Sequence, residues 1–354
     1  MAQDTDARKE VLASDILEDI KNSKSIEYDN VVINGDIDIS EHFLAENKKH
    51  IVSSFIKITN SIVSGSVDFS NIIFKNPVTI SCCFKRNVKF FGTEFKSSQL
   101  RCADFRESEF LDDADFDYAQ FHSTCSFSES KFTKNCFFRN SRFMGPAKFA
   151  GAEFKNAYFV SSEFEEEANF EGSKFEENTY FNEPQFNEHV DFAKSKFNGN
   201  VNFNRSRFKK EIVFNQSQFN KKLIFLNSKF EGEANFEESQ FGENVDFIET
   251  QFDERTDFTR SKFNGNANLE KSRFKKEVVF SLSQFNKNLI FRNSKFEGEV
   301  NFEESQFCKN VDFIETQFDE RTEFTRSRFY GNANFKNSRF KREIIFNQSN
   351  STIT

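Results

Sequence analysis

Six cysteines, four histidines and scattered pairs of carboxylates are the residues of this chain with chemistry to offer. Metal ligation needs His, Cys or carboxylate groups at short fixed spacings, nucleophilic catalysis needs a Ser or Cys beside a base, and acid/base work needs carboxylates in unlike environments. His42, His50, His122 and His189 lie far apart, and no Cys-x-x-Cys spacing occurs. Cys125 and Cys136 each stand two residues before a phenylalanine, Phe127 and Phe138, where small residues stand elsewhere. They read as small buried hydrophobes. Asp112-Asp113 and Glu237-Glu238 fall at outward polar positions, where a solvated surface is expected. There is no P-loop, dinucleotide fingerprint or nucleophile elbow. The sequence therefore predicts no enzyme, no catalytic, cofactor-binding or metal-binding residue, and no cofactor.

The elements that would position any such group are marked by phenylalanine. The 354 residues include 53 Phe against 5 Tyr, 2 Met and no Trp, so apolar bulk is concentrated in one side-chain shape, as a repeating site requires. In FEGEANFEESQFGENVDFIETQF, which begins at Phe230, the rings return after steps of six, five, six and five. On a helix turning about 100° per residue such steps fall on nearly opposite sides, so no helix explains them. Locally a period of two survives, as in Ala234-Asn235-Phe236, Ser239-Gln240-Phe241 and Val245-Asp246-Phe247. Each Phe closes a short strand with a small or aliphatic residue two before it pointing the same way. The remaining residues turn a corner.

Residues 7 to about 22 carry Val11, Leu12, Ile16, Leu17 and Ile20 in an amphipathic helical pattern. Ser14 is available as its N-cap, and the helix could cover the open end of the repeats. Ile33 and Ile39 play the same beat, and residues 41–56 break it, reading as an excursion with a short helix of its own. The beat resumes at Ile58 and runs through Val63, Phe69, Phe74 and Ile80, with an irregularity at Ser81-Cys82-Cys83. It continues at Phe84, Phe90, Phe95, Leu100, Phe105 and Phe110, where four steps of five predict a 20-residue coil. From Phe164 to Phe346 an 11-residue unit is unbroken. The stretch from Phe197 recurs from Phe263, and the block at Phe230 recurs at Phe296, so a 66-residue block has been copied. Copying on that scale preserves a solenoid only when the block is a whole number of coils. The expected division is a cap, first coil and excursion over 1–57, repeats over 58–348, and a tail over 349–354.

The unit of small residue, polar residue, Phe and two variable positions resembles the pentapeptide repeat family. Ala103-Asp104-Phe105, Ala168-Asn169-Phe170, Val201-Asn202-Phe203 and Ala234-Asn235-Phe236 match its motif, and the resemblance covers roughly residues 58 to 348. It implies an all-β solenoid, a right-handed quadrilateral β-helix with four faces per coil, here with a short N-terminal helical cap. This chain departs from the strict pattern by one extra residue in every second face. Five-six-five-six makes a 22-residue coil, three coils make the 66-residue block, and roughly a dozen coils are expected. Stacked coils lie about 4.8 Å apart, so the rings should form ladders. The residue after the Phe that opens each six-step separates two columns. One runs Glu165, Asn187, Lys209, Glu231, Asp253, Lys275, Glu297, Asp319, Lys341; the other runs Glu176, Asn198, Asn220, Gly242, Asn264, Asn286, Cys308, Tyr330.

Function must then come from surfaces. Some members of the family resemble a DNA duplex in shape and acidity and bind type II topoisomerases, which makes Asp104 to Asp117 the acidic segment to watch. Of 56 acidic and 48 basic residues, the first fifty positions hold 12 and 6, leaving 44 and 42 for the solenoid. That near-balance argues against DNA mimicry. The residue before the Phe that closes each five-step is Lys, Arg or Gln from Lys174 to Arg339. Direct nucleic-acid binding is not expected all the same, because a mixed-charge surface with a pI near 5.4 repels phosphates. The expectation is a cytoplasmic, non-enzymatic scaffold for an unidentified protein partner, since there is neither an apolar run for a membrane nor a basic, apolar leader. The C-terminal coil, near Phe335, Phe340 and Phe346, is expected to pack on a second copy, or to be covered by Asn350, Ser351 and Thr352.

Overall fold

The computed structural model describes residues 8–39, 49–97, 99 and 101–349. The chain forms two compact units, residues 1–169 and 170–354. Each is a parallel β-solenoid built from very short strands, most of them spanning a residue pair.

The unit of residues 1–169 is the irregular one. Its register reaches back to Lys9–Leu12, which pairs in parallel with Val31–Asn34, and Ile26–Asp29 pairs with Ile56–Thr59. The helix α1 spans Ala13–Lys21 and buries Ala13, Ile16 and Ile20. It is shorter than expected. Val11 is buried within the preceding strand, Leu12 is the N-cap residue, and the Ser14 hydroxyl reaches Asp15 instead of capping. Asp15 in the first turn and Lys21 in the last complement the helix dipole. The further helix expected within 41–56 falls partly outside the described residues; His50–Val52 and Ile56 onward are strand.

Two irregularities of the beat have physical causes. Ile80 sits over Ile58 and Phe84 over Val63, so a step of four overlies a step of five, and a bulge at Asn60 absorbs the difference. The four fives from Phe90 to Phe110 do not form a 20-residue coil. Phe90 stacks on Phe116 at 5.2 Å and Phe95 on Phe121 at 5.0 Å, so this coil is longer than those above it rather than shorter. Ala103-Asp104 pairs with Val78-Thr79, which makes Phe95 to Phe105 one face carrying extra residues. The flanking coils have four faces, and Leu100, which lies outside the described residues, would have made a fifth. Counting steps cannot see this, because a step of ten fits two short faces as well as one long one.

The unit of residues 170–354 is regular. Through Thr322–Glu323, each strand pairs with the equivalent strand of the next 22-residue coil, for example Phe230 with Phe252 and Val245 with Ala267. Four Phe or aliphatic positions per coil make four faces. Rings on the same face stack, Phe225 over Phe247 at 5.1 Å and 2° between planes, while rings on alternate faces meet edge to face, Phe225 to Phe236 at 6.2 Å and 82°. Both geometries suit the ring quadrupole, adding about 0.5–1.5 kcal/mol per pair beyond burial.

The two kinds of corner differ. In a five-step such as Phe192-Ala193-Lys194-Ser195-Lys196-Phe197, the Ser195 amide donates to the Phe192 carbonyl, and Lys194 between them has φ +57°. The Ser195 hydroxyl donates to the carbonyl of Phe170, the residue equivalent to Phe192 one coil earlier, at 2.7 Å. Ser217, Ser239, Thr250, Ser261 and Ser272 repeat that bond. In a six-step the inward position is usually aliphatic, and some corners approach the previous coil closely. A Cβ on Gly199 would lie 2.2 Å from the Glu177 carbonyl oxygen.

Candidate interaction surface

The residues first considered for chemistry stay apart. All six cysteines are free. Burial pushes the Cys82 thiol up to about 12 and the Cys102 thiol to about 11, and raises Cys125 and Cys136 well above the ordinary value. Such thiols are protonated and inert at neutral pH. His122 lies 3.9 Å from Glu94, whose carboxylate is already held by Lys49 and Lys96 at 2.8 and 2.7 Å. His189 faces Glu211 at 3.3 Å, and His42 lies outside the described residues. Among the described residues no three His, Cys, Asp or Glu side chains converge as metal ligands, and no helix is long and apolar enough to cross a membrane. An open cleft of about 480 Å³ in the first unit is lined by Lys49, Phe91, Tyr118, Gln120, Arg142 and Glu163, among others.

Two carboxylates of the acidic segment are neutralised locally. Arg101 and Arg106 bridge Asp104 at 2.6 and 2.9 Å, and Arg139 holds Asp117 at 2.5 Å. Burial raises the Asp104 pKa, but hydrogen bonds from Arg106 and Arg101 outweigh it and leave it below the usual range. Asp115 goes the other way, raised chiefly by burial.

The Lys/Arg/Gln stripe is in fact two stripes on opposite faces of the second unit, because successive five-steps lie half a coil apart. On one face Arg207, Lys229, Gln251, Arg273, Lys295 and Gln317 run beside Glu231, Asp253, Glu297 and Asp319. Arg207 and Lys229 hold Glu231 at 2.7 and 2.8 Å, Lys275 holds Asp253 at 2.8 Å, Lys295 holds Glu297 at 2.8 Å and Lys341 holds Asp319 at 2.9 Å. Hydrogen bonds from Arg207 and Lys295 respectively lower the pKa values of Glu231 and Glu297. For Asp253 and Asp319 burial works against the shift, yet the lysine hydrogen bonds still win. The four carboxylates of this face are thus each held by a cation, while Lys209 and Arg339 make no ion pair among the described residues.

The other face presents Lys174, Lys196, Gln218, Gln240, Lys262, Gln284, Gln306 and Arg328 in one column. Beside it stand Glu176, Asn198, Asn220, Gly242, Asn264, Asn286, Cys308 and Tyr330; Glu176 accepts from Asn198 at 2.7 Å, and from Lys196 onward neither column holds a carboxylate. Asn220 donates to Asn198 at 2.7 Å and Asn286 to Asn264 at 2.8 Å, so the amides are ordered in ladders. Lys196, Lys262 and Arg328 are exposed and make no ion pair among the described residues. Acids on the adjoining corners are occupied: Glu171 by Lys194, Glu237 by Arg260, Glu243 by Lys221, and Glu303 by Arg326. Sequence reasoning found the stripe but not its division. The signal was present in the two columns that follow Phe, one charged and one amide.

The family profile described as pentapeptide repeats (9 copies) matches residues 90–142, 138–183, 170–212, 214–262, 258–306 and 280–328. No curated protein matches the chain. With four-faced parallel coils, a stacked phenylalanine interior and a profile match over most of its length, this chain belongs to the pentapeptide repeat family.

Proposed function

We propose that the protein is a non-enzymatic cytoplasmic scaffold that docks a protein partner on the Lys196–Arg328 face. The observation that carries this reading is the contrast between two opposite faces of one backbone. One interleaves its cations with carboxylates that pair with them across coils, while the other keeps three cations unpaired among ordered amides. Unpaired exposed cations contribute nothing to folding that water does not already supply, so their use is sought outside the molecule. The test is affinity capture from native lysate with wild type, with Lys196→Gln/Lys262→Gln/Arg328→Gln, and with Lys229→Gln/Arg273→Gln/Lys295→Gln. Selective loss of a captured protein with the first triple variant supports the reading; indifference to both triples would end it.

Binding a type II topoisomerase by imitating DNA has less support, because the carboxylates of Asp104 and Asp117 are neutralised by neighbouring arginines. Unchanged gyrase supercoiling at micromolar protein would dispose of it. A second copy is a further proposed partner, with the last described coil as the contact. Phe335, Phe340, Ile344 and Phe346 are only half-buried, whereas Phe313, Phe318 and Phe324 one coil earlier are buried. The alternative cover, Asn350, Ser351 and Thr352, lies outside the described residues. Sedimentation equilibrium tests the dimer, which a charge at Ile345 should abolish.

A further inference from the structure

The unpaired cations of the amide face are in register with each other. Lys196, Lys262 and Arg328 each stand one 66-residue block apart, three coils of the 22-residue pairing, and stacking at about 4.8 Å per coil places successive charges roughly 14 Å apart in one line. Two glutamines stand between each pair of cations, Gln218 and Gln240, then Gln284 and Gln306. The 66-residue duplication has thus made a periodic surface with a period of its own.

We propose that this face binds an extended peptide laid along the stacking direction, with carboxylates at every fourth residue meeting Lys196, Lys262 and Arg328. The proposal rests on the scaffold reading above and names the chemistry of the partner. An extended chain rises about 3.4 Å per residue and alternates its sides, so residues four apart share a side at roughly 13.6 Å. That nearly matches the cation spacing, and long side chains absorb the remainder. The amides argue for a peptide over a nucleic acid. Each primary amide has two N–H donors and a carbonyl acceptor, and the Asn ladders use only part of that capacity. A peptide backbone offers both donors and acceptors, whereas a phosphodiester backbone offers acceptors alone. A nucleic-acid strand also carries a charge about every 3.4 Å, far denser than three cations over this length, on a chain whose formal net charge is −8.

The test is fluorescence anisotropy of the full chain with a labelled nonapeptide bearing Glu at positions 1, 5 and 9 among Ser and Gly. Two probes accompany it: a peptide of the same composition with its three Glu adjacent, and a nine-nucleotide single strand. The spaced peptide should bind best and should weaken roughly tenfold with Lys196→Gln/Lys262→Gln/Arg328→Gln, three exposed pairs being lost. It should be unaffected by Lys229→Gln/Arg273→Gln/Lys295→Gln on the opposite face. Equal binding of the clustered peptide, preference for the oligonucleotide, or equal loss with both triple variants overturns the proposal. If the spaced peptide fails to bind while the native partner is still lost from capture with the first triple, this proposal falls and the scaffold reading stands.

Discussion

At the scale of the residue, the interior has two inward positions per face with different chemistry. The ring is fully buried, and Phe247 is typical: it stacks on Phe225 and meets Phe258 edge to face at 5.8 Å. Phe247→Ala deletes one rung and should cost about 3–5 kcal/mol, read as a lowered urea midpoint with little change in slope. Where the partner position holds a hydroxyl, its value depends on the corner it occupies. In five-steps Ser and Thr donate to a carbonyl one coil back, so their polarity is satisfied. Thr256 sits instead at a six-step position, buried with no hydrogen-bond partner for its hydroxyl. Exchange for an isosteric methyl removes an unsatisfied polar group, and Thr256→Val should stabilise by about 1 kcal/mol. A destabilised variant in thermal melts would show that the hydroxyl is satisfied after all.

At the scale of the element, the corner decides what the sequence tolerates. Each five-step turn holds its third residue near φ +57°, as at Lys194, Glu249, Leu282 and Asn293, a conformation that crowds the Cβ of most residues. Leu282 is 45% exposed there with φ +60°, so its apolar side chain brings no burial to offset the strain. Leu282→Asn, using a residue that already holds the same turn position on the opposite side at Asn227 and Asn293, should stabilise by roughly 0.5–1 kcal/mol. An unchanged or lower melting temperature would count against the strain. The charge-paired face makes a pH prediction. Glu231, Asp253, Glu297 and Asp319 titrate below their ordinary values of 4.5 and 3.8 in the folded chain. A depressed carboxylate stabilises fully above its unfolded pKa and loses that contribution as pH falls through the folded one. Denaturation midpoints should therefore fall as pH drops through and below the ordinary carboxylate range. The fall should be shallower in Arg207→Gln/Lys275→Gln, and identical acid limbs would remove the ladder from the account.

At the scale of the whole molecule, the sequence disclosed what repeats and concealed what interrupts. The four-faced coil, its 22-residue length and the Phe ladder were legible because each recurs many times with one side-chain type. The long face between Phe95 and Phe105 was not, because its length divides by five, and neither was the start of α1, where Val11 serves a strand as well as it would a helix. The surface was legible only in part: a stripe of Lys, Arg and Gln was visible, but not that alternate members face opposite ways. That last point separates what folding requires from what the surface requires. Folding needs only that five-steps stack on five-steps and six-steps on six-steps, which any whole number of 11-residue units preserves. The surface needs whole coils, and the cation register needs whole three-coil blocks. Deleting residues 197–262 should therefore leave a cooperative solenoid with its amide face continuous. Deleting 230–262 should also fold, since Phe263 then follows Lys229 in a five-step, but beyond the junction the amide and charge-paired faces exchange sides. Removing only 248–252 takes one face from one coil, sets five-steps over six-steps downstream and should lower the melting temperature most. Since each coil contacts only its neighbours, circular dichroism melts should rank the first two deletions close together and the five-residue one far below. The reverse ranking, with the smallest deletion the least damaging, would mean that coils re-register freely and that the five-six alternation does not specify the stack.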